Sequence, residues 1–157
     1  MWSKELGISR SDFAAELFGR GYNCSQSVFL AFSDRYGLSD EAALRLSCAL
    51  GGGMGRLRLV CGAVSAMALV CGLETGNTDP KDQAKKTACY EKMRKLASAF
   101  SEENGSVICR ELLGLSEKET KKEGAAPALR TAEYYKKRPC KELVRQAAAI
   151  LEEEFIR

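Results

Sequence analysis

Residues 61–73 read CGAVSAMALVCGL, and the prediction of the fold starts from this segment. It is apolar almost all round, which is the pattern of a helix that is buried on every side. Its small residues, which would let neighbouring backbones come close, are Gly62, Ala63, Ser65, Ala66 and Ala68. The stretch therefore predicts a buried helix at the centre of the protein.

On both sides of this stretch, apolar residues recur at steps of three and four, and no segment alternates apolar and polar residues as a half-buried strand would. The chain of 157 residues has the length of one domain. We therefore expect residues 1–157 to form one all-α domain, a helical bundle of about six to seven helices. The second helix is expected to extend to Gly37. Helix starts are indicated at Ser9 or Ser11, Asn23, Ser39, Asp79-Pro80, Ser106 and Pro139.

Two segments between the helices are glycine-rich or polar. Residues 51–60, GGGMGRLRLV, predict a helix stop followed by a flexible turn, because glycine marks turns. The functional alternative is that these glycines let backbone N–H groups approach the sulfur of Cys61. Residues 115–127, LSEKETKKEGAAP, predict a mobile surface connector.

The composition excludes several classes of function. The sequence contains no histidine, which rules out Ser-His-Asp and Cys-His relays, His-ligated zinc and C-x-x-C-H haem attachment. The net charge is only +3 and basic residues alternate with acidic ones, so no nucleic-acid partner is expected. No apolar run has the length of a signal peptide or a membrane span, and we expect a cytoplasmic protein with reduced thiols.

The seven cysteines fall into two groups by their place in the predicted helices. A helix N-terminus offers unpaired N–H groups and partial positive charge, which stabilise a thiolate and lower the pKa of a cysteine. The cysteines in a predicted first turn are Cys24, Cys61, Cys109 and Cys140. The others lie mid-helix or late among apolar neighbours, as structural core cysteines do; they are Cys48, Cys71 and Cys89.

The four first-turn cysteines are therefore the candidate catalytic residues and the candidate metal ligands. In one interpretation, pairs of them cycle between dithiol and disulfide. In the other, all four thiolates hold an iron–sulfur cluster or a zinc ion. Gly62 and Ala63, beside Cys61, are the candidate cofactor-binding residues. The long spacings between the cysteines contain no C-x-x-C and favour neither interpretation.

Two further hypotheses use the cysteines differently. In a non-catalytic interaction module, the cysteines would be core residues, and the helix around residues 81–95, with its alternating charges, would bind a partner protein. In a thiol-dependent enzyme acting on a small molecule, the general base would have to be Glu or Lys, because histidine is absent.

Five segments, in this order, resemble the C_GCAxxG_C_C family of small bacterial and archaeal proteins. They are YNCSQSVFLAF, the GGGMG connector, CGAVSA, CRELLG and PCKELV, and they span about residues 20–150. The resemblance implies redox activity and a redox partner, and family genes often lie near transporter genes. The four recurring cysteines of the family correspond to Cys24, Cys61, Cys109 and Cys140. The sequence departs from the family's C-G-A-x-x-G motif at Ala66, where the motif has glycine.

Overall fold

The computed structural model describes residue 2 and residues 4–157. This part of the chain forms nine α-helices and no β-strand. The segment Gly51–Met54 is counted as a turn, because its backbone is left-handed. The predicted all-α fold is confirmed. Single-turn 3-10 helices add Lys4–Leu6 and Ser33–Tyr36. The α-helices are α1 (Arg10–Gly19), α2 (Cys24–Leu30), α3 (Asp40–Cys48), α4 (Gly62–Thr75), α5 (Gln83–Asn104), α6 (Cys109–Leu113), α7 (Glu117–Lys122), α8 (Ala132–Lys137) and α9 (Cys140–Phe155).

Helix α4, the helix predicted from residues 61–73, lies at the centre of the bundle. It packs against α2, α5 and α9, while α1 packs against α9 and α2. It is buried on most of its surface, although Ala68 and Leu73 are exposed. The largest fully buried side chains of the core include Phe29, Phe32, Phe100, Leu17, Met67, Leu96 and Leu151. Among the helices of the described residues, none combines the length and the apolar character needed to cross a membrane.

The predicted caps at Ser9, Asn23 and Ser39 are confirmed, because each side chain accepts a backbone N–H in the first turn of its helix. The second helix, however, ends at Leu30 and not at Gly37. The hydroxyl of Ser33 donates to the carbonyl of Leu30 at 3.1 Å, which offers that carbonyl a partner outside the helical ladder.

Two other boundaries differ from the sequence prediction. Helix α5 is capped by Asp82 and not by Asp79. The Asp79 carboxylate instead accepts the N–H of Lys81 at 2.9 Å, which makes Asp79-Pro80 a turn ahead of the helix. The predicted connector over residues 115–127 contains α7, which begins with a capping box between Ser116 and Glu119.

The glycine-rich connector forms a turn with left-handed backbone. Gly52 and Gly53 have φ of 66° and 69°, and the left-handed region continues through Met54, Gly55 and Arg56. A residue with a Cβ in this region costs roughly 1–2 kcal/mol, so three glycines here limit the strain. The turn connects α3 to α4 and leads directly into the site described next.

Candidate functional site

Four cysteines from four helix starts line one cavity. The cavity has a volume of about 340 Å³. Cys24, Cys109 and Cys140 are the first residues of α2, α6 and α9, and Cys61 immediately precedes α4. All are free thiols. The structure therefore brings together the four first-turn cysteines, and it adds Cys48 to the same cavity.

An isolated antiparallel β-bridge between Val60 and Ile108 holds two of these cysteines side by side. The N–H groups of Cys61 and Cys109 donate across the bridge, at 2.8 and 2.5 Å. Because successive side chains of extended backbone point to opposite faces, both cysteines project from the same side of the bridge. A single bridge leaves no alternating pattern in the sequence, so it could not be predicted from periodicity.

Cys24 is positioned by the capping of α2 and by a glycine of α4. Asn23 and Gln26 each accept the other's backbone N–H, and the Asn23 side chain donates to the Cys48 carbonyl at 2.9 Å. These bonds fix the start of α2 against the end of α3. The Cys24 sulfur then lies against the backbone of Gly62, where a Cβ would overlap it. Gly62 is required for this close approach.

The left-handed turn makes a second close approach, at Cys109. A Cβ on Gly53 would lie 2.7 Å from the Cβ of Cys109 and 2.8 Å from the Cα of Arg58. Because Gly53 also has φ of +69°, only glycine fits without strain. Gly53 of the connector therefore lies close to Cys109, whereas the backbone N–H groups that act on the sulfur of Cys61 are those of Ala63 and Val64 in α4.

Arg58 connects Cys109 to the segment that covers the cavity. Its Nη1 lies 3.7 Å from the Cys109 sulfur, and its Nε and Nη2 donate to Glu123 at 2.6 and 3.2 Å. The guanidinium is almost completely buried, since Arg58 is only 5% exposed. In the sequence Arg58 precedes Cys61, so its proximity to Cys109 follows only from the tertiary structure.

Residues 123–130, here called the strap, cover the cavity. Glu123 holds one end through Arg58, and Arg56 donates to the carbonyls of Gly124, at 2.7 Å, and of Ala126. The other end is held by Arg130, whose side chain donates to two carbonyls at the end of α1 and just beyond it, both at 3.1 Å. Cavity-lining residues of the strap are Ala125, Pro127, Ala128 and Arg130. The predicted connector over residues 115–127 is thus hydrogen-bonded to the rest of the protein through its last residues.

Burial dominates the acidity of the cavity thiols. It raises the pKa of Cys61 to about 12 and that of Cys140 to about 11, and it also raises the pKa of Cys109. The negative charge of Cys24 adds to all three increases. Backbone N–H groups at the start of α4 lower the pKa of Cys61, as predicted for a helix N-terminus, but burial outweighs them. The predicted net lowering is therefore wrong for these three cysteines.

The other three cysteines differ from one another. Cys48, expected in the core, is exposed at the end of α3 and lines the cavity. Cys71 and Cys89 lie between α4 and α5 and do not line the cavity; the Cys71 sulfur is 3.8 Å from the Cys89 carbonyl oxygen. The sequence contains no signal for the position of Cys48, because its neighbours have an ordinary helical pattern.

The two candidate cofactor-binding residues separate in the structure. Gly62 lines the cavity. Ala63 is fully buried in the core, and its backbone N–H points to the sulfur of Cys61. Arg130 and Tyr134 also line the cavity, although no motif in the sequence indicates them.

The arrangement of these thiols does not fit a metal centre. Within residues 2 and 4–157, no three His, Cys, Asp or Glu side chains are grouped so that they could hold a metal ion. A Cys₄ zinc site or an iron–sulfur cluster needs its ligands around one centre. Thiol–disulfide chemistry has a smaller requirement, since it needs only two sulfur atoms within reach of each other.

A family of known proteins matches most of the chain. The model of the C_GCAxxG_C_C family, described as "Putative redox-active protein", matches residues 22–154. This range includes all four cavity cysteines, the left-handed turn and the strap. No match to the chain is found among curated proteins or among solved structures. Because the family match covers far more than half of its residues, the chain belongs to the C_GCAxxG_C_C family.

Proposed function

We propose that this protein carries out thiol–disulfide exchange with the cysteines of its cavity. The observation that carries the proposal is the convergence of Cys24, Cys61, Cys109 and Cys140 on one cavity of about 340 Å³. A structural cysteine fills space in a core and needs no second thiol beside it. The description of the family as redox-active supports the same chemistry.

Cys24 is the proposed attacking thiol. Its sulfur lies against the backbone of Gly62, the residue after Cys61, and it lines the same cavity as the other three first-turn cysteines. It is also more accessible than Cys61 and Cys109, which are 6% and 8% exposed. An attacking thiol needs access to the substrate and a second thiol within reach, and Cys24 has both.

The proposed exchange balances as a two-electron reaction. The Cys24 thiolate attacks one sulfur of a substrate disulfide, forms a mixed disulfide and expels one substrate thiolate. Cys61 then loses its proton, attacks the Cys24 sulfur and expels the second substrate thiolate. The protein gains one disulfide, the substrate is reduced to two thiols, and the two cysteine protons pass to the thiolates that leave. Cys61 is the proposed partner because Cys24 lies against Gly62, the next residue.

The test uses a background in which Cys48, Cys71 and Cys89 are replaced by alanine, so that only cavity thiols remain. The protein is equilibrated with mixtures of reduced and oxidised dithiothreitol, its free thiols are alkylated, and the products are read by mass spectrometry. We expect thiols to disappear in pairs and a peptide pair to link Cys24 to Cys61. Cys24→Ser should abolish this disulfide.

The matched control is Cys109→Ser, which removes a cavity thiol outside the proposed pair and should leave the Cys24–Cys61 disulfide in place. Four thiols that stay free in every mixture, in a protein that keeps its helical circular dichroism, would contradict the proposal. Anaerobically purified protein with a visible absorption band and bound iron would contradict it as well, in favour of a cluster.

A further inference from the structure

Four arginines line the cavity, and three of them are engaged by groups of the protein itself. Arg56 donates to carbonyls of the strap, Arg58 donates to Glu123, and Arg130 donates to the carbonyls beside the end of α1. The charges of these three arginines therefore serve to hold the strap over the cavity.

Arg138 differs from the other three. In the part of the chain that the structure describes, its guanidinium forms no ion pair and donates no hydrogen bond, and its contact is the ring of Tyr134, with 5.5 Å to the ring centre. Its positive charge partly counters the burial that raises the pKa of Cys109 and Cys140. Arg138 thus lies beside the thiols with no carboxylate at ion-pair distance among the described residues. It acts electrostatically on Glu123, but that carboxylate is already hydrogen-bonded to Arg58. A guanidinium in this position is suited to a carboxylate, which it can bind with two parallel hydrogen bonds.

The rest of the cavity limits the size and the polarity of what can bind. Its volume of about 340 Å³ is close to the lower end of small-molecule pockets, which measure about 300–1,000 Å³. Apolar side chains form much of its wall, among them Phe18, Leu112 and Leu143. A folded protein does not fit beneath the strap, whereas a short carbon chain with one charged end does.

We infer that the substrate of the cavity thiols is a small organic disulfide with a carboxylate that Arg138 binds. This inference rests on the proposed thiol–disulfide exchange and adds the chemical class of the substrate. Two cysteine thiols and one carboxylated disulfide give one protein disulfide and two carboxylated thiols. The substrate disulfide is the oxidant, and each product thiol takes one proton from a cysteine.

The experiment compares two small disulfides of similar size in the background that lacks Cys48, Cys71 and Cys89. Dithiodiglycolate carries two carboxylates, and bis(hydroxyethyl) disulfide carries none. The rate of cavity-thiol loss with each probe is divided by the probe's rate with free dithiothreitol, an uncharged dithiol that reduces both probes, and this removes the difference in intrinsic reactivity. We expect a preference of about 10- to 100-fold for dithiodiglycolate, the size of a charge-assisted contact.

Arg138→Gln should reduce this preference to about one, and Arg138→Lys should retain part of it. The control is Lys141→Gln, which removes an exposed charge from the same helix start without changing the cavity wall, and the preference should remain. Equal normalised rates in this background with Arg138 intact, or a preference that survives Arg138→Gln, would overturn the inference while exchange itself stands. If neither probe forms any cavity disulfide, the proposed function fails together with the inference.

Discussion

The close approach between Cys24 and Gly62 predicts that a single methyl group added at residue 62 destabilises the protein. In Gly62→Ala, the new Cβ overlaps the Cys24 sulfur and lies 3.0 Å from the carbonyl oxygen of Leu50. Both separations are inside the roughly 3.5–4.0 Å at which non-bonded atoms attract each other. Overpacking of this kind costs about 1–3 kcal/mol, so we expect Gly62→Ala to lower the free energy of unfolding by that amount.

Gly72, in the same helix, provides the matched control. A Cβ at Gly72 meets nothing within 4 Å. Alanine there removes the penalty of up to about 1 kcal/mol that glycine carries in a helix interior, so Gly72→Ala should stabilise the protein. Urea unfolding followed by far-UV circular dichroism measures both variants, and the two changes should have opposite signs.

A double-mutant cycle tests whether the Cys24 sulfur causes the destabilisation expected for Gly62→Ala. In a Cys24→Ala background the overlapping atom is absent, so Gly62→Ala should cost less than about 1 kcal/mol. The difference between the two backgrounds should lie in the range of about 0.5–3 kcal/mol found for residues in contact. The reasoning is refuted if Gly62→Ala costs the same in both backgrounds, or if it stabilises the protein as Gly72→Ala does.

Three further predictions concern charge at the cavity. Hydrogen bonding to Arg58 holds the pKa of Glu123 below its usual 4.5. The stabilisation of the folded state by the ionised carboxylate is therefore present above pH 4.5 and is lost as pH falls through the folded-state pKa. Urea unfolding of Glu123→Gln should show a weaker dependence of stability on acid pH. Burial raises the pKa of Cys61 from 9.0 to about 12, so the Cys61 thiol ionises more readily in the unfolded chain than in the folded protein. The contribution of this thiol to the free energy of unfolding is therefore complete below pH 9.0 and is lost as pH rises to about 12. Cys61→Ala should lose less stability over this alkaline range. Arg56→Ala removes two hydrogen bonds to the strap, so tryptic cleavage after Lys122 and Arg130, at the two ends of the strap, should rise about 10-fold, equivalent to roughly 1.4 kcal/mol.

Each of these predictions has a control or a contrary outcome. Glu133→Gln breaks an ion pair with Lys137 in which both side chains are more than two-thirds exposed, and such pairs contribute little, so its acid profile should match that of the unmodified protein. Parallel acid profiles for Glu123→Gln and the unmodified protein would contradict the first prediction. Identical alkaline profiles would contradict the second, and unchanged cleavage in Arg56→Ala the third.

The parts of the fold that follow from local chemistry were predictable from the sequence. Asn23 and Ser39 cap helices because their side chains accept N–H groups two or three residues ahead, an interaction that needs no tertiary contact. The end of α2 was not predictable in the same way. The Ser33 hydroxyl donates to the Leu30 carbonyl, and residue types alone do not show that this bond replaces the helical one.

In the candidate site, too, the local features were predictable from the sequence and the long-range features were not. Helix-start positions mark out Cys24 and Cys109 in the sequence, since a helix start is recognisable from its neighbours. Their common cavity, the exposure of Cys48 there and the contact between Arg58 and Cys109 join residues that are far apart in the chain. The acidity of the thiols also depended on the fold, because burial outweighed the helix-start effect that the sequence indicated.

From the residue types alone it was possible to predict that the protein is helical, where most of its helices begin, and which four cysteines lie at helix starts. These features depend on interactions within a few residues. The tertiary structure alone shows that the four thiols share one cavity, that burial raises the pKa of Cys61, Cys109 and Cys140, and that Arg138 lies beside them without an ion pair. Those features depend on which distant surfaces pack together, and packing is set by the whole bundle and not by any one segment.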